Sequence, residues 1–463
     1  MTNWLPDLTK FSGPRYRAIA DAVAADIGSG SLPPGARLPT HRDLAWRLGV
    51  TIGTVSRAYA EVERRGLVAG EIGRGTYVRA AGSVAVPGLV WHEKPPPGFV
   101  DFSFNYAITG DEAGALAETV TRLAASPHFA EMLHYHASAG RAADRAAGAA
   151  WIARSGLKAV PERVIVTNSG QHALSVIFTA LTRPGDAVAV ESLTYPGMKA
   201  LADLFGLRLV ALAMDGEGLL PEAFEVACRA GPIKALYTMP TLHNPTTAVM
   251  PEARRRQIAE IAQRHAVPVV EDDCFGFLLE GPPAPIASFA PEHAFYLGST
   301  AKSMAPGLRV GYVHAPPDAV DRLVRVMRAT TYMASPLMAA VASSWIEEGI
   351  ADRLVAAKRE LQRQRGRMIA ALPWSDKAET HPAAMHRFLT LPERWRVDDF
   401  VSEARRRGVG LIPGSVFAVN RNAAPNAVRL CFAAPSSTEL LERGLRILVE
   451  MLAGAPAADL SVV

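Results

Sequence analysis

The middle of the chain alternates short β-rich runs with longer segments of helical character, and this alternation is the feature that most constrains the fold. Each run is short and strongly apolar, and the spans between runs are long enough for crossover helices. The pattern is typical of a parallel sheet covered by helices, and it predicts an α/β domain. The runs are Arg163–Thr167, Ala187–Glu191, Ala235–Met239, Pro268–Asp272 and Ala294–Leu297.

A change of composition near residue 80 predicts two domains. The chain has 463 residues, which is more than one ordinary domain core accommodates. Residues 81–100 are rich in small residues and proline and carry few periodic apolar positions, as a partly extended linker does. We therefore expect a small domain over 1–80 and a large one over 101–463. The latter divides into a large part of about 101–345 and a smaller lobe of about 346–463.

The first 80 residues have the outline of a winged helix-turn-helix. Thr40 stands where an N-cap belongs, and Asp43 three residues later completes a pattern that resembles a capping box. Two short strand-like runs flank a GRG tip and predict a hairpin, the wing. The predicted elements are helices over 14–28, 41–48 and about 50–65, and strands over Leu67–Glu71 and Thr76–Arg79.

The third helix is the expected recognition helix. Such a helix presents short polar and basic side chains in its first turn, because these reach base edges in the major groove. Arg42 begins the preceding helix and suits a phosphate or a guanine, and Arg74 at the wing tip suits a phosphate or the minor groove. The candidate DNA-binding residues are Arg42, Thr51, Thr54, Ser56, Arg57, Arg74 and Thr76.

The charge of the chain is concentrated in the same segment. Residues 1–80 hold eleven Lys and Arg against seven Asp and Glu, and this excess of four equals the net charge of +4 for the whole chain. A basic segment with this outline indicates double-stranded DNA as a partner. A solvated basic surface, or a helical module for protein contacts, is the alternative interpretation.

Other features argue against metal sites and membranes. Cys228, Cys274 and Cys431 are scattered, and the pair His134 and His136 has no third ligand nearby. The N-terminus lacks the basic stretch and apolar core of a signal peptide, and no apolar run approaches the ~20 residues of a membrane helix. We expect a cytoplasmic protein without a bound metal.

Several groups near the ends of the predicted strands have a common chemistry. Lys302 follows the last run within YLGSTAKSMAPGLRVGY, and Asp272 ends the apolar run before it. A lysine for an imine, a carboxylate for a pyridine nitrogen, phosphate donors and a flat group are what pyridoxal 5'-phosphate requires. The further candidates are Ser169, Gly170 and Gln171 at a helix start, Asn244 at another strand end, Tyr195, Ser299 and Arg309.

The N-terminal string LPTHRDLAWRLGVTIGTVSRAYAEVERRGLV, followed by GRGTYV, resembles the GntR family of bacterial regulators. The resemblance implies that the DNA contacts of that family lie at Arg42, Thr51, Thr54, Ser56 and the wing near Arg74–Thr76. Many members have arginine where this chain has Ile52, so its reading of bases departs from theirs.

Residues from about 101 to 440 resemble fold-type I aminotransferases, an α/β fold. The resemblance implies that Lys302 forms the imine and Asp272 meets the pyridine nitrogen. Two departures stand out, Phe275 where many members have tyrosine and Ala301 where serine is frequent. The other implied roles are Asn244 on the ring oxygen, Tyr195 stacked on the ring, Ser169, Gly170, Gln171, Ser299 and Arg309 on the phosphate, Tyr135 on the phosphate of a neighbouring subunit, and Arg429 on a substrate carboxylate, a structural arginine being the alternative for Arg429.

The fusion of these two domains resembles the MocR-type regulators, over nearly the whole chain. It implies a homodimeric, DNA-binding transcription regulator that senses a small amine or amino acid as the external imine formed when the effector displaces Lys302. The competing hypothesis is a working aminotransferase whose head regulates its own expression. A third is a DNA-binding protein that uses the cofactor only as a structural prop.

Overall fold

The computed structural model describes residues 4–8, 11, 13–28, 31–33, 36–64, 67–71, 75–78, 98–107, 109–373, 378–379, 381–420 and 423–454. The chain divides into two compact units, Met1–Val90 and Trp91–Val463. Residues 81–97 of the predicted linker and the candidate Arg74 lie outside the described residues. The domain boundaries expected at 80, 100 and 345 stay predictions.

The first unit has the predicted order of three helices and a hairpin. The Thr40 hydroxyl accepts a hydrogen bond of 3.2 Å from the Asp43 backbone N–H, so the predicted N-cap of the second helix is confirmed. Gly49 ends that helix with φ of 62°, a left-handed conformation that favours glycine. The elements are α1 Arg15–Gly28, α2 His41–Leu48, α3 Ile52–Arg64, and the antiparallel strands β1 Val68–Glu71 and β2 Gly75–Val78.

A small core holds this unit together. Apolar side chains spaced four residues apart on α1 face apolar side chains of the other two helices, as the amphipathic pattern predicts. The strands complete the core from one side. Its fully buried members include Ile19, Val23, Leu44, Val55, Val62 and Val68.

The second unit contains the remaining elements. Its strands are β3 Val100–Asp101, β4 Val164–Thr167, β5 Ala187–Glu191, β6 Arg208–Leu212, β7 Met214–Asp215, β8 Gly218–Leu219, β9 Ala235–Thr238, β10 Val269–Asp272, β11 Ala294–Ser299, β12 Gly311–His314, β13 Ala378–Glu379, β14 His386–Thr390, β15 Val409–Gly410, β16 Ile412–Pro413 and β17 Ala427–Cys431. Its helices are α4 Asp111–Ala124, α5 Ala142–Ala153, α6 Gly170–Leu181, α7 Pro196–Phe205, α8 Pro221–Ala230, α9 Glu252–Arg264, α10 Ile286–Phe289, α11 Thr300–Ser303, α12 Val320–Thr330, α13 Pro336–Glu347, α14 Ile350–Ala370, α15 Val397–Arg406 and α16 Thr438–Ala453.

The described residues form a seven-stranded central sheet in the order β4-β12-β11-β10-β9-β5-β6. All neighbouring pairs from β11 to β6 are parallel, whereas β12 is antiparallel to both of its neighbours. The five runs that the sequence predicts are strands of this sheet, which confirms the α/β class. The strands β6 and β12 were not predicted.

The two faces of the sheet pack against different helices. Val269 and Tyr296 belong to the core on the face covered by α5, α9 and α13. Their neighbours Val270 and Leu297 belong to the core on the other face, which α6, α7 and α12 cover. Because successive side chains of a strand point to opposite faces, the sheet separates two different environments at the ends of β10 and β11.

A second, smaller sheet of the described residues has the order β13-β14-β17-β16. It packs with α15 and α16 around a third core that includes Phe102, Phe400 and Leu441. Strand β17 places Arg429 opposite Phe388 of β14. The strand-like and helical content expected after residue 350 is therefore present.

Candidate functional site

Lys302 and Asp272 lie at the ends of neighbouring strands of the central sheet. Lys302 belongs to α11, the single turn after β11, and Asp272 is the last residue of β10. Burial is the main cause that lowers the pKa of the Lys302 amine, and the positive charge of Arg429 lowers it further. A lowered amine pKa favours the neutral form, which is the nucleophile that bonds to an aldehyde carbon.

One oxygen of the Asp272 carboxylate accepts a hydrogen bond and the other does not. It is 4 % exposed, and its Oδ2 accepts a hydrogen bond of 2.8 Å from the Tyr237 hydroxyl. Its Oδ1 is buried without a hydrogen-bond partner among the described residues, and burial raises the pKa of the carboxyl to about 6. A buried carboxylate oxygen without a donor costs free energy. The protonated nitrogen of a pyridine ring is such a donor, so this oxygen fits pyridoxal phosphate.

Four of the predicted phosphate ligands converge at the N-terminus of α6. Ser169 caps this helix with φ of 110°, and its hydroxyl accepts a hydrogen bond of 2.7 Å from Arg309, whose own φ is 51°. A β-carbon on Gly170 would lie 3.4 Å from Cβ of Ser299, so these two residues are neighbours. Gly311, which the sequence did not single out, approaches so closely that its β-carbon would lie 2.7 Å from the Ser169 carbonyl carbon. Helix amides, hydroxyls and a guanidinium are together suited to a phosphate.

Gly197 leaves room for Tyr195 and Gln171 beside the N-terminus of α6. Tyr195 precedes α7, and burial raises the pKa of its phenol. The Gln171 amide donates a hydrogen bond of 3.0 Å to the Gly197 carbonyl. A β-carbon on Gly197 would lie 2.3 Å from a ring carbon of Tyr195 and 2.4 Å from the Gln171 oxygen. Only glycine therefore allows the ring and the amide to occupy these positions, although the string TYPG alone does not reveal it.

Arg429 forms hydrogen bonds both to Asn244 and to a residue near the start of the second unit. Its guanidinium donates to Asn244 Oδ1 at 2.9 Å and to the Ser103 carbonyl at 2.5 Å, and lies 5.0 Å from the centre of the Phe417 ring. Its Nε is buried without a partner among the described residues. Because arginine has only donors, the Asn244 oxygen faces Arg429, and its amide nitrogen is left as the donor that a ring oxygen requires.

One placement of the sequence analysis was wrong. Asn244 was expected at a strand end, but β9 ends at Thr238 and Asn244 lies in the following loop, in a cis peptide bond with Pro245. Pro240 lacks the N–H that a ladder needs, so the strand ends before it and leaves Asn244 in the loop.

A buried polar cluster beside Phe275 also escaped the sequence analysis. The Phe275 ring lies 5.8 Å from the His386 ring, whose Nδ1 is 2.9 Å from the Asn105 amide nitrogen. Burial lowers the pKa of His386 to about 3, so its imidazole is neutral at neutral pH. Asn105 and His386 are 281 residues apart, and no local pattern marks either of them.

Tyr135 lies away from these contacts. Its side chain is 79 % exposed, and its ring centre is 4.7 Å from that of Tyr332. The predicted contact of Tyr135 with the phosphate of a neighbouring subunit stays a prediction.

The predicted DNA-binding residues of the first unit are mostly at its surface. Arg42 and Thr51 are exposed, and Thr51 shares a hydrogen bond of 2.9 Å with the Thr54 hydroxyl. Ile52, at the position where GntR proteins often have arginine, is 50 % exposed. Thr76 on β2 is half-buried.

Two of the candidates have contacts within the unit that limit their freedom. The Ser56 hydroxyl lies 3.0 Å from Nδ1 of His41, and the guanidinium of the exposed Arg57 lies 4.4 Å from the centre of the Tyr16 ring. Such contacts orient the two side chains without consuming all of their donors. The role of all seven residues in DNA binding stays a prediction.

The described ranges offer neither a metal-binding cluster nor a membrane-spanning helix. No cluster of three or more His, Cys, Asp or Glu is arranged to hold a metal ion in this part of the chain. No helix within it is both long and apolar enough to cross a membrane.

Comparison with protein families gives two matches that follow one another along the chain. Residues 15–78 match the bacterial regulatory proteins of the gntR family, and residues 108–448 match the family of aminotransferases class I and II. The predicted fold, a helix-turn-helix domain followed by a fold-type I aminotransferase-like domain, is thereby confirmed.

Individual relatives match over long parts of the chain. An uncharacterized HTH-type transcriptional regulator of Bacillus subtilis, YdeF, is 29% identical over 452 residues, 97% of each chain. The probable rhizopine catabolism regulatory protein MocR of Rhizobium meliloti is 27% identical over 78% of this chain and 77% of its own. LysN of Thermus thermophilus, an alpha-aminoadipate aminotransferase complexed with N-(5'-phosphopyridoxyl)-L-leucine, matches with a TM-score of 0.69 at 26% identity, over 77% of this chain and 92% of its own. The chain therefore belongs to the aminotransferase class I and II family, with pyridoxal phosphate as its cofactor, and carries at its N-terminus the DNA-binding domain of the GntR regulators.

Proposed function

We propose that this protein is a cytoplasmic transcription regulator that binds operator DNA with its first unit and senses an amino acid or a related amine with its second. Pyridoxal phosphate supplies an aldehyde carbon to which amines bond covalently. Lys302, the pKa of whose amine is lowered by burial, would hold the cofactor through that carbon, and an effector amine would compete with it there. Arg429 is the group that receives an effector carboxylate.

The observation that carries the proposal is the contact between Arg429 and the Ser103 carbonyl. A carboxylate binds arginine through two charge-assisted hydrogen bonds and is a stronger partner than a neutral carbonyl. An effector carboxylate therefore competes with Ser103 for the guanidinium. Ser103 lies only two residues after β3, at the start of the described part of the second unit, so it is joined to the predicted linker through Phe102 and β3.

Hydrogen bonds hold both ends of the segment that carries Ser103. The Phe102 carbonyl accepts a hydrogen bond of 2.9 Å from the Cys431 N–H, and the Ala107 carbonyl accepts one of 2.6 Å from the buried Lys358 amine. Between these anchors, Ser103 meets Arg429 and Asn105 meets His386. A change at Arg429 thus alters the path of a short tethered stretch, and a ligand that favours one path over the other shifts their populations.

The first experiment is DNA binding by the full-length, cofactor-loaded protein at fixed salt. Fluorescence anisotropy compares the DNA upstream of its own gene with a scrambled duplex of equal length, because phosphate contacts alone give salt-dependent binding. Individual amino acids and amines are then added, and we expect one of them to change the affinity by about 5- to 150-fold. Both Lys302→Ala and Arg429→Gln should abolish that response. The proposal fails if no amine that bonds to the cofactor changes DNA affinity or transcription.

A second candidate function is aminotransfer, because the residues for amine exchange are all present. Steady turnover of an amino donor with a keto acid distinguishes it, since a dedicated sensor lacks such turnover. A third candidate, in which the cofactor serves only as a structural prop, predicts that Lys302→Ala leaves effector-dependent regulation intact. Regulation lost in that variant argues against the prop.

The proposal includes a homodimer. Leu133 is 85 % exposed and Tyr135 is 79 % exposed, and neighbouring exposed apolar side chains are characteristic of interaction surfaces. A second copy that covers them would bring Tyr135 towards its phosphate site, and would offer two DNA-binding units to two half-sites. Light scattering of the cofactor-loaded protein should give twice the mass of one chain.

A further inference from the structure

A cavity of about 520 Å³ opens in the second unit, on the face of the central sheet opposite to Asp272. Asp273 and Tyr296 line it, and Tyr296 belongs to the core that α5, α9 and α13 cover. Asp272 belongs to the other face, because successive side chains of a strand alternate, whereas Ser299 of the candidate phosphate site also lines this cavity. A volume of this size is within the range of small-molecule sites, roughly 300–1,000 Å³. Its lining includes Trp151, Ser155, Asp273, Phe277, Tyr296 and Ser303.

The Asp273 carboxylate is the charged group in the interior of this cavity. Its Oδ1 accepts a hydrogen bond of 2.7 Å from the Gly276 N–H, and its Oδ2 accepts one of 2.6 Å from the Tyr296 hydroxyl. No described lysine, arginine or histidine forms an ion pair with it, and burial raises the pKa of the carboxyl. The nearby Arg255 pairs with Glu271 instead, at 3.6 Å. Two neutral donors bind the oxygens of Asp273, Arg255 acts on the carboxylate only from beyond ion-pair distance, and each carboxylate oxygen retains a lone pair.

The arginines at the rim do not supply a counter-charge to Asp273. Arg154 pairs with Asp352 at 2.8 Å. Arg359 donates to the Phe277 carbonyl at 2.8 Å and to the Leu279 carbonyl at 2.9 Å. Neither guanidinium contacts Asp273. Of the carboxylates that line the cavity, Asp273 is therefore the one without an ion pair among the described residues, since Asp352 pairs with Arg154 and Glu280 with Arg363.

The walls of the cavity suit an organic cation. Trp151, Phe277 and Tyr296 are aromatic, and aromatic faces attract cations. The guanidinium of Arg154 already lies 4.9 Å from the centre of the Trp151 ring. We propose that this cavity is a second ligand site, which binds a small organic cation with its ammonium group at Asp273 and its apolar part against the aromatic walls. Ser299 and Ser303 line the cavity on both sides of Lys302, so the ligand contacts the turn that carries that lysine.

The test uses phenyltrimethylammonium and the full-length, cofactor-loaded protein. A quaternary ammonium cannot bond to an aldehyde, so the outcome does not depend on the function proposed above. Isothermal titration should show one saturable site per chain, and Asp273→Asn should weaken binding at least about tenfold. An asparagine keeps a partner for both Gly276 and Tyr296, so the fold is retained. The matched control is Asp352→Asn at the rim, where the carboxylate is exposed and the expected change is less than about threefold.

Two further measurements test the location of the site and its preference for a positive charge. Ala356 lies at the cavity on an exposed face of α14, so Ala356→Trp should block entry without loss of the Asp273 charge. The neutral isostere tert-butylbenzene should bind at least about tenfold more weakly than the cation. Absence of saturable binding, equal affinity of the Asp273→Asn variant, or equal affinity for the neutral isostere would each overturn the proposal.

Discussion

The two units of this protein arrange their candidate functional residues in opposite ways. In the first unit these side chains lie mostly at the surface and their partners are often close in sequence, as in the pair Thr51 and Thr54. In the second unit the partners are distant in sequence: the partly buried bond from Arg309 to Ser169 spans 140 residues, and the buried bond from Arg429 to Asn244 spans 185. A surface residue can thus be changed with little effect on the fold, whereas a buried one ties its chemistry to the packing of the whole unit.

The largest expected effect separates the two units most clearly. Lys302→Ala removes the amine that anchors the cofactor, so dialysis should strip the cofactor from the variant while the wild type retains it. DNA affinity without effector should change less than about twofold, because the DNA-binding residues are in the other unit. Cofactor absorbance per chain and anisotropy measure the two quantities. The exposed Lys234 provides the control Lys234→Ala, and retention equal to the wild type in Lys302→Ala would contradict the assignment.

The next prediction concerns the buried charge of Asp272 in cofactor-free protein. Burial raises its pKa to about 6, so the protonated form stabilises the fold at low pH, and this contribution is lost as the pH rises through about 6. Compared with Asp272→Asn, the wild type should lose roughly 2–3 kcal/mol of unfolding free energy between pH 4 and pH 7. Urea unfolding of both proteins at the two pH values measures this difference in unfolding free energy.

The comparison with the variant isolates this carboxyl from other groups. His243 and His386 have pKa values lowered by burial to about 4 and about 3, so they destabilise the fold as the pH falls. Both histidines are present in wild type and variant, and their contributions cancel in the difference. A difference that does not vary with pH would show that Asp272 is charged throughout the range.

A change in the first unit should affect affinity alone. Arg42→Ala should weaken operator binding by about tenfold or more and lower the salt dependence, since an exposed guanidinium that meets DNA contributes roughly 1–3 kcal/mol. Arg47 on the same helix pairs with Asp43 at 3.0 Å, so Arg47→Ala is the matched control, with an expected change of less than about threefold. Anisotropy at several salt concentrations measures both. Equal losses in the two variants would indicate a general charge effect instead of a defined contact.

The smallest expected effect tests an exposed residue of the second unit. Tyr135→Phe removes one hydroxyl, and if the hydroxyl meets the phosphate of the neighbouring subunit, the cofactor should dissociate a few times more readily, about 3- to 10-fold. Cofactor titration followed by absorbance measures it. The control Tyr332→Phe alters the neighbouring ring alone and should have no effect.

The fold was largely predictable from the sequence because it depends on local patterns. A capping residue marks the start of α2, and continuous apolar runs mark the five predicted strands of the central sheet. Strand β6, Arg208–Leu212, was missed because it is an edge strand with mixed burial. Strand β12 was missed because its first two residues, Gly311 and Tyr312, end the string around Lys302. The other edge strand, β4, is buried throughout and carries the apolar signal that β6 lacks.

The candidate site was predictable only where a side chain acts within a short motif. Ser103 acts through its backbone carbonyl, and Gly197 through the absence of a side chain, so neither leaves a pattern in the sequence. Tyr237 reaches Asp272 because β9 and β10 pair with Tyr237 opposite Val270. Such a contact depends on register, which a single sequence does not specify.

The position of Asn244 has a consequence for the colour of the protein. Its oxygen is bound to Arg429, so its nitrogen would be the donor to the ring oxygen of the cofactor. A carboxylic acid without an amine, such as maleate, can occupy Arg429 but cannot react with an aldehyde. If it moves the guanidinium, it also changes how the amide holds the ring oxygen, and the absorption maximum of the cofactor shifts. Visible absorbance would then report the state of Arg429 directly, even for ligands that leave every covalent bond intact.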